Sequence, residues 1–224
     1  MGVLALKLLL APALVVAATI AGRRWGPRVA GILIALPVVA GPILLVITIQ
    51  HGEAFGARAA RGSLLGVVAL SVFCVVFAHT ARLGWPSALA AGWLGYATFA
   101  AVGSRWDAPP PAGLGVALFA LGTARFLLRK GVAPDEQPPT RPWWDLYARA
   151  GSTAALVITI TTAADTFGPG VSGVLTPFPI ATSVLAAFAV AHDGPHAGAT
   201  MLRGFVTALP AFALFFFLVA VALG

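Results

Sequence analysis

Apolar residues fill long stretches of this chain, and short polar or Gly/Pro-rich connections separate them. A helix needs about 20 mostly apolar residues to cross a hydrocarbon core of about 30 Å. The pattern therefore predicts an all-α, polytopic transmembrane bundle in a single domain over residues 1–224. We expect about eight spans, near residues 4–22, 27–49, 62–81, 86–103, 112–129, 148–166, 171–191 and 203–223.

Composition supports lipid as the main solvent. Hydrophobic residues make up 59% of the 224 positions and charged residues only 9%, which a water-facing surface would not tolerate. The 14 Lys and Arg residues occur in small groups between apolar runs, so we interpret them as a topology signal and expect no nucleic-acid partner. Cys74 stands alone in an apolar run, which offers neither a disulfide framework nor a thiolate metal site.

The sequence predicts an internal duplication, and the alternative is that any two apolar, Ala-rich spans resemble each other. When the sequence is shifted by 142 residues, residues 7–78 (the first copy) align without a gap on residues 149–220 (the second copy), and 19 of the 72 positions are identical. Chance would match roughly a tenth of positions in so biased a composition. The second copy also argues that residues 1–22 are a retained span, although they resemble a signal peptide.

Span counting predicts that the two copies have opposite orientations. The first copy begins at span one and the second at span six, so an odd number of crossings separates them, and two connecting spans near 86–129 lie between the three matched spans of each copy. With both termini outside, ten of the fourteen basic residues lie on the inner side, as the positive-inside rule requires. These are Arg23, Arg24, Arg28, Arg82, Arg125, Arg129, Lys130, Arg141, Arg149 and Arg203.

Prolines interrupt the second and the seventh span at matching positions. Pro37 aligns with Pro179, and Pro42 and Pro177 add a second break to each copy. A proline within a helix frees a carbonyl group and kinks the helix. Proline-interrupted spans in two inverted halves point to a binding site at the midplane of a transporter, although such kinks also occur for packing alone. The predicted substrate pathway consists of Pro37, Gly41, Pro42, Thr176, Pro177, Pro179, Thr182 and Ser183.

The sixth span is rich in polar residues. Thr161, Thr162 and Asp165 are close enough in sequence to share a helix face and bind a cation, whereas the structural alternative is that the hydroxyls bond their own backbone and Asp165 caps a helix end. Arg61 and Arg203 precede the third and eighth spans. They are candidates for a gate or for contact with lipid headgroups, and headgroup contact is the usual role of such residues.

The sequence lacks the equipment of an enzyme. It has no acidic residue in the middle of a span, no Ser/His/Asp set and no phosphate loop. His192 and His196 are four residues apart, but Gly194-Pro195 interrupts a helical turn between them, so we predict no metal site. We expect no cofactor and no catalytic residue.

Each copy resembles the GlpM-like family, a largely uncharacterised group of small bacterial membrane proteins with about four spans. Residues 7–100 carry the family's Lys (Lys7), its Gly31-Ile32-Leu33 to Pro37 stretch and the Gly that follows it (Gly52). In residues 149–223, Arg149 replaces the Lys, and the matching features are Gly173-Val174-Leu175 to Pro179, Gly194, Arg203 and the run from Leu209-Pro210-Ala211-Phe212 to Phe217. The resemblance implies a bacterial inner-membrane protein with a loose link to envelope and exopolysaccharide physiology.

The sequence therefore predicts a multi-pass protein of the bacterial cytoplasmic membrane with both termini outside. The leading hypothesis is a transporter or channel-like facilitator whose pathway lies between inverted repeats. The alternative is a non-transporting protein that supports envelope or exopolysaccharide assembly by binding lipid or partner subunits. The expected partners are membrane lipid, a small solute or ion and, as a further hypothesis, a second copy of the chain.

Overall fold

The computed structural model describes residues 2–106, 108–128, 142–167 and 178–224. These residues form helices and no strand, as the sequence predicts. In chain order the helices are α1 (Gly2–Trp25), α2 (Pro27–Ile34), α3 (Ala40–His51), α4 (Glu53–Thr80), a 3-10 turn (Ala81–Leu83), α5 (Trp85–Gly103), α6 (Pro110–Leu127), α7 (Asp145–Phe167) and α8 (Ile180–Ala222).

Four stretches of the described chain are long and apolar enough to cross a membrane. They are Leu8–Trp25, Glu53–Leu83, Pro110–Leu127 and Ile180–Ala222. Length and composition alone identify them, and the prediction of a helical membrane protein is confirmed at that level.

The predicted second span is broken in the middle. Helix α2 ends at Ile34 and α3 begins at Ala40, and Pro37 lies between them. A proline cannot donate the hydrogen bond that would continue α2, and its ring clashes with the carbonyl four residues earlier. The interruption predicted at Pro37 is therefore present in the structure.

The described parts of the last two predicted spans lie in α8, a 43-residue element in which two helices meet at a kink at Gly194. Gly194 has φ 86° and ψ 175°, a conformation that is essentially restricted to glycine. Pro195 follows it and can begin a new helix because the first helical position needs no N–H donor. Residues 192–202, which the apolar pattern left between two spans, are thus helical, and only Gly194 departs from helical geometry.

Helix α4 also begins earlier than predicted, at Glu53 and not at residue 62. It lies at the centre of the bundle, where it contacts α3, α5, α6 and α8. Buried Leu64, Val67, Phe73 and Phe77 form its packed face. The core thus forms around a helix of the first copy and reaches the second copy through α8.

Helix α2 packs directly on α8 at small residues. A Cβ atom at Gly31 would collide with the carbonyl oxygen of Met201 and lie 2.7 Å from the backbone nitrogen of Phe205. A Cβ atom at Gly204 would collide with the carbonyl oxygen of Arg28. Close backbone approach at glycine is a common way for membrane helices to associate, and here it joins the two copies.

Candidate solute-binding cavity

A cavity of about 520 Å³ lies between the broken helix of the first copy and the start of α8 in the second copy. Leu36 and Val39 line it from the α2–α3 interruption, and Phe178, Pro179 and Thr182 line it from the start of α8. A volume of about 300–1,000 Å³ is typical of small-molecule sites. The cavity therefore lies between the interruption at Pro37 and the start of α8 at Pro179.

The walls of the cavity are mainly apolar. Aliphatic and aromatic side chains dominate, while hydroxyl groups come from Ser63, Ser104, Thr161 and Thr182. None of the described lining residues carries a charge. An ion that lost its water there would find only neutral hydroxyl and carbonyl groups, which compensate desolvation poorly unless several converge.

The predicted pathway residues occupy different environments. Pro179 and Thr182 line the cavity, and Pro37 lies in the interruption between two of its lining residues. Gly41 faces Phe215 instead, and a Cβ atom at Gly41 would lie 3.5 Å from the Phe215 ring. The remaining predicted residues lie elsewhere: Pro42 is exposed, Ser183 is buried in the core, and Thr176 and Pro177 fall outside the described residues.

The predicted cation site is only partly described. Thr161 lines the cavity, whereas Thr162 is exposed. The side chain of Asp165 is outside the described part of the chain. Cation binding by these residues therefore stays a prediction.

The two arginines predicted as gates are both half-buried. The Nε atom of Arg61 is buried and has no hydrogen-bond partner among the described residues. The backbone carbonyl of Arg203 accepts a hydrogen bond from Thr207 at 2.7 Å. Neither side chain is among the described residues that line the cavity, so their roles stay predictions.

An aromatic group holds one wall of the cavity and was not predicted. The Phe178 ring packs against Trp93 and Tyr96 of α5, with centroid separations of 5.4 and 5.5 Å. The Trp93 indole also donates a hydrogen bond to the Ser183 hydroxyl at 2.9 Å. These contacts fix the start of α8 against a connecting helix between the two copies.

A buried ion cluster, which we call the carboxylate cluster, lies at the last turn of α1, whereas the cavity contacts the middle of that helix at Ala11 and Leu14. It consists of Asp145, Arg149, Arg23 and His192. Arg23 Nη2 and Arg149 Nε donate to Asp145 Oδ2 at 2.7 and 2.9 Å, and His192 Nε2 is 3.6 Å from Oδ1. The cluster therefore ties together the end of α1, the start of α7 and the part of α8 before its kink.

The electrostatic surroundings keep Asp145 ionised. Asp145 is fully buried and precedes the predicted span 148–166. Burial alone would raise the pKa of this carboxyl, but the hydrogen bonds and positive charges of Arg149 and Arg23 outweigh it and hold the pKa below its usual value. Arg149 also lies over the Phe188 ring, 4.8 Å from its centroid. Sequence alone gave no signal for this cluster, because Arg23 is 122 positions away from Asp145.

No family model, no curated protein and no solved structure matches this chain. The resemblance to GlpM-like proteins therefore stays a prediction, and the function must be argued from the residues and the cavity.

Proposed function

We propose that this protein is a membrane transporter or channel-like facilitator whose pathway runs through the cavity between the interruptions at Pro37 and Pro179. The observation that carries the proposal is the cavity of about 520 Å³, which residues from the break at Pro37 and from the start of α8 at Pro179 line together. An opened backbone at membrane depth is tolerated only where protein or a water-filled space satisfies it. Broken helices at matching positions of two repeats are a recurring way to build such a site.

Several features of the helices support the inverted repeat within this proposal. Gly52 and Gly194, which are 142 positions apart, both have positive φ and both precede a long helix. Those helices end at Thr80 and Ala222, again 142 positions apart. The contact between Arg23 and Asp145 sets the end of α1 beside the start of α7, which is the antiparallel arrangement expected of inverted copies.

The length of α8 supports two crossings by this one element. A straight helix of 43 residues would extend about 65 Å at 1.5 Å per residue, roughly twice the thickness of a hydrocarbon core. The kink at Gly194 falls where the chain would turn back. We therefore keep eight spans with both termini outside the bacterial cytoplasmic membrane as part of the proposal.

The lining favours an uncharged solute with an apolar body and one or two polar groups. The apolar walls would bury the body, and the hydroxyls of Thr161 and Thr182 would pair with the polar groups. Since no described lining residue is charged, an ion is a poorer fit.

A second candidate function is lipid binding without transport, in support of envelope or exopolysaccharide assembly. The apolar walls of the cavity favour this alternative, because an acyl chain needs no polar partner. In that case the purified protein would retain lipid in a fixed ratio, and solute flux through vesicles that contain it would equal that of empty vesicles.

Solute flux into vesicles tests the transport proposal. The purified protein is reconstituted in liposomes, and entry of glycerol, urea and 1,2-propanediol is followed by light scattering after osmotic shock. We expect faster entry of at least one of these probes than into protein-free vesicles. Equal rates for all three would contradict transport of small uncharged solutes.

Two matched variants connect the flux to the cavity. Gly62 lines the cavity, and no described atom lies within 4 Å of the position that its Cβ would take. Gly62→Trp has room for its Cβ and should place a large ring in the cavity and abolish the flux. Gly115 of α6 is equally unobstructed but does not line the cavity, so Gly115→Trp should keep the wild-type rate. Equal flux in both variants would exclude the cavity as the pathway.

A further inference from the structure

Identical residues of the two copies have different surroundings in this structure. Thr161 lines the cavity. Its counterpart Thr19 is only 2% exposed and donates its hydroxyl hydrogen to the Val15 carbonyl at 2.7 Å. The same residue therefore faces open space in one copy and packed protein in the other.

Gly62 and Gly204 show the same difference. Gly62 is exposed at the cavity, whereas Gly204 is buried and leaves no room for a Cβ beside the carbonyl of Arg28. Gly31 makes the reciprocal contact with the backbone of α8 at Met201. At the Gly204 position the two copies are therefore pressed together, backbone against backbone.

The packed surface has only a small gap. A void of about 20 Å³ remains, and Thr19, Ala30, Leu185 and Met201 are among the residues that surround it. Positions 142 residues away from Thr19, Leu185 and Met201 are Thr161, Ile43 and Ala59, and all three line the large cavity. These three residues of the small void therefore have counterparts that line a space of about 520 Å³, whereas they themselves line one of about 20 Å³.

We infer that the surface around Thr19, Leu185, Met201 and Gly204 is a second entrance to the pathway, which is closed in this structure and opens when the cavity around Thr161 and Gly62 closes. This inference rests on the proposed transport function. A chain built from two inverted copies has two such arrangements, in which the copies exchange their surroundings. Alternating access then requires movement of one copy against the other and no new fold.

The carboxylate cluster is placed to hold the second entrance closed. Arg149 belongs both to the cluster and to the wall of the small void. Asp145 connects α7 to Arg23 of α1 and to His192 of α8, so these helices cannot separate at this end while the contacts persist.

The acid and the histidine of this cluster have no matching residue at the repeat offset. At the same offset of 142, Val3 stands where the second copy has Asp145, and Gln50 stands where it has His192. The two ends of the pathway are therefore not sealed by equivalent residues. Loss of the cluster should shift the population toward the arrangement with the second entrance open.

Thiol labelling tests the inference in reconstituted vesicles. The single native cysteine, Cys74, is buried and is first replaced by Ala. Thr161→Cys and Thr19→Cys are then made separately, as matched substitutions of the same residue type at equivalent positions. A membrane-impermeant maleimide is added to the outside or enclosed inside, and the labelling rate is measured by mass spectrometry.

We expect Thr161→Cys to react from one side of the membrane and Thr19→Cys to react at least about tenfold more slowly, and only from the other side, because the alternative state is the minor one. Adding Asp145→Asn or Arg23→Gln should speed labelling at Thr19→Cys and slow it at Thr161→Cys. Arg23→Gln is the milder variant, since it leaves the contact between Arg149 and Asp145 intact. Equal labelling of both cysteines, or labelling of both from the same side, would overturn the inference.

The labelling result is independent of the flux result. The cluster variants could speed labelling at Thr19→Cys and slow it at Thr161→Cys while no solute flux is seen. That result would uphold the second entrance and contradict transport. Flux that Gly62→Trp blocks, together with Thr19→Cys rates that neither cluster variant changes, would uphold transport through a fixed channel and contradict the second entrance. Variants are compared only where their elution volume and helical circular dichroism match the parent protein.

Discussion

Gly52 and Gly194 hold nearly the same backbone conformation, with φ 87° and ψ 166° at Gly52 and φ 86° and ψ 175° at Gly194. The two glycines are 142 positions apart, and each separates a shorter helix from a longer one. The helices on either side also pack alike. A Cβ atom at Gly56 would collide with Thr48 Oγ1, and one at Gly198 would lie 2.5 Å from Val190 Cγ2. The turn between these helices is thus built in the same way twice.

Alanine at either turn glycine should destabilise the protein. Backbone angles in this region cost a residue with a side chain about 1–3 kcal/mol. We therefore expect Gly52→Ala and Gly194→Ala each to lower the free energy of unfolding by that amount, as measured by SDS titration with circular dichroism. Gly115→Ala is the control, because Gly115 is helical and unobstructed, and a gain of up to about 1 kcal/mol is expected there. Unchanged stability in both turn variants would show that the positive φ angles are not required.

Gly204 and Gly62 should respond in opposite directions to alanine although they are equivalent in sequence. A methyl group at Gly204 meets the carbonyl of Arg28, which is backbone and cannot rotate away, so we expect a loss of about 1–3 kcal/mol from overpacking. At Gly62 the methyl group meets no described atom within 4 Å, and alanine should stabilise the helix slightly. SDS titration of the two variants in parallel checks this difference, and equal losses would contradict the asymmetry of the two copies.

Local sequence features account for the parts of the fold that could be predicted. Pro37 interrupts a helix through its own geometry, and Gly194 followed by proline marks the kink, so both breaks could be placed without knowledge of the tertiary structure. The sequence placed the start of this span at residue 62 and not at Glu53, because Glu53 and Arg58 are charged. Both are exposed on the helix, and a helix continues through charges that remain outside the core.

Long-range contacts account for most of what could not be predicted. The cavity was expected near Pro37 and Pro179, but Ser104, which directly follows α5, also lines it. Nothing in the sequence connects that residue to the copies. Asp145 and Arg149 resemble an ordinary surface pair four residues apart. Only the fold brings Arg23 to them and buries the carboxylate.

Loss of the carboxylate of Asp145 should be costly. Asp145→Asn removes the carboxylate that pairs with Arg23 and with Arg149, whose side chain is only 3% exposed. Breaking a buried ion pair on one side costs about 3–5 kcal/mol, so we expect a loss near the lower figure, because Asn still accepts a hydrogen bond. Thermal unfolding in detergent, followed by circular dichroism, measures it.

Two further variants distinguish the loss of the buried ion pair from the effect of removing any charge at this end of the bundle. Arg24→Gln removes a neighbouring exposed charge that lies over the Trp25 ring and should change stability by less than about 1 kcal/mol. Asp145→Leu combined with Arg149→Met replaces both buried charges and should lose less than Asp145→Asn alone. A larger loss of stability in the double variant would show that the loss in Asp145→Asn does not come from the broken pair with Arg149.

We expect Ser183 to stabilise the protein through its hydrogen bond with Trp93 and not to line the cavity. Ser183→Ala leaves the Trp93 indole N–H without its 2.9 Å acceptor, and an unsatisfied donor of this kind costs about 1–3 kcal/mol. Trp93→Phe removes the donor together with its need for a partner while an aromatic ring still faces Phe178. In the Trp93→Phe background, Ser183→Ala should therefore cost markedly less than in the native chain. A double-mutant cycle by SDS titration measures the coupling, and additive losses would show that the Trp93–Ser183 hydrogen bond does not stabilise the wall of the cavity.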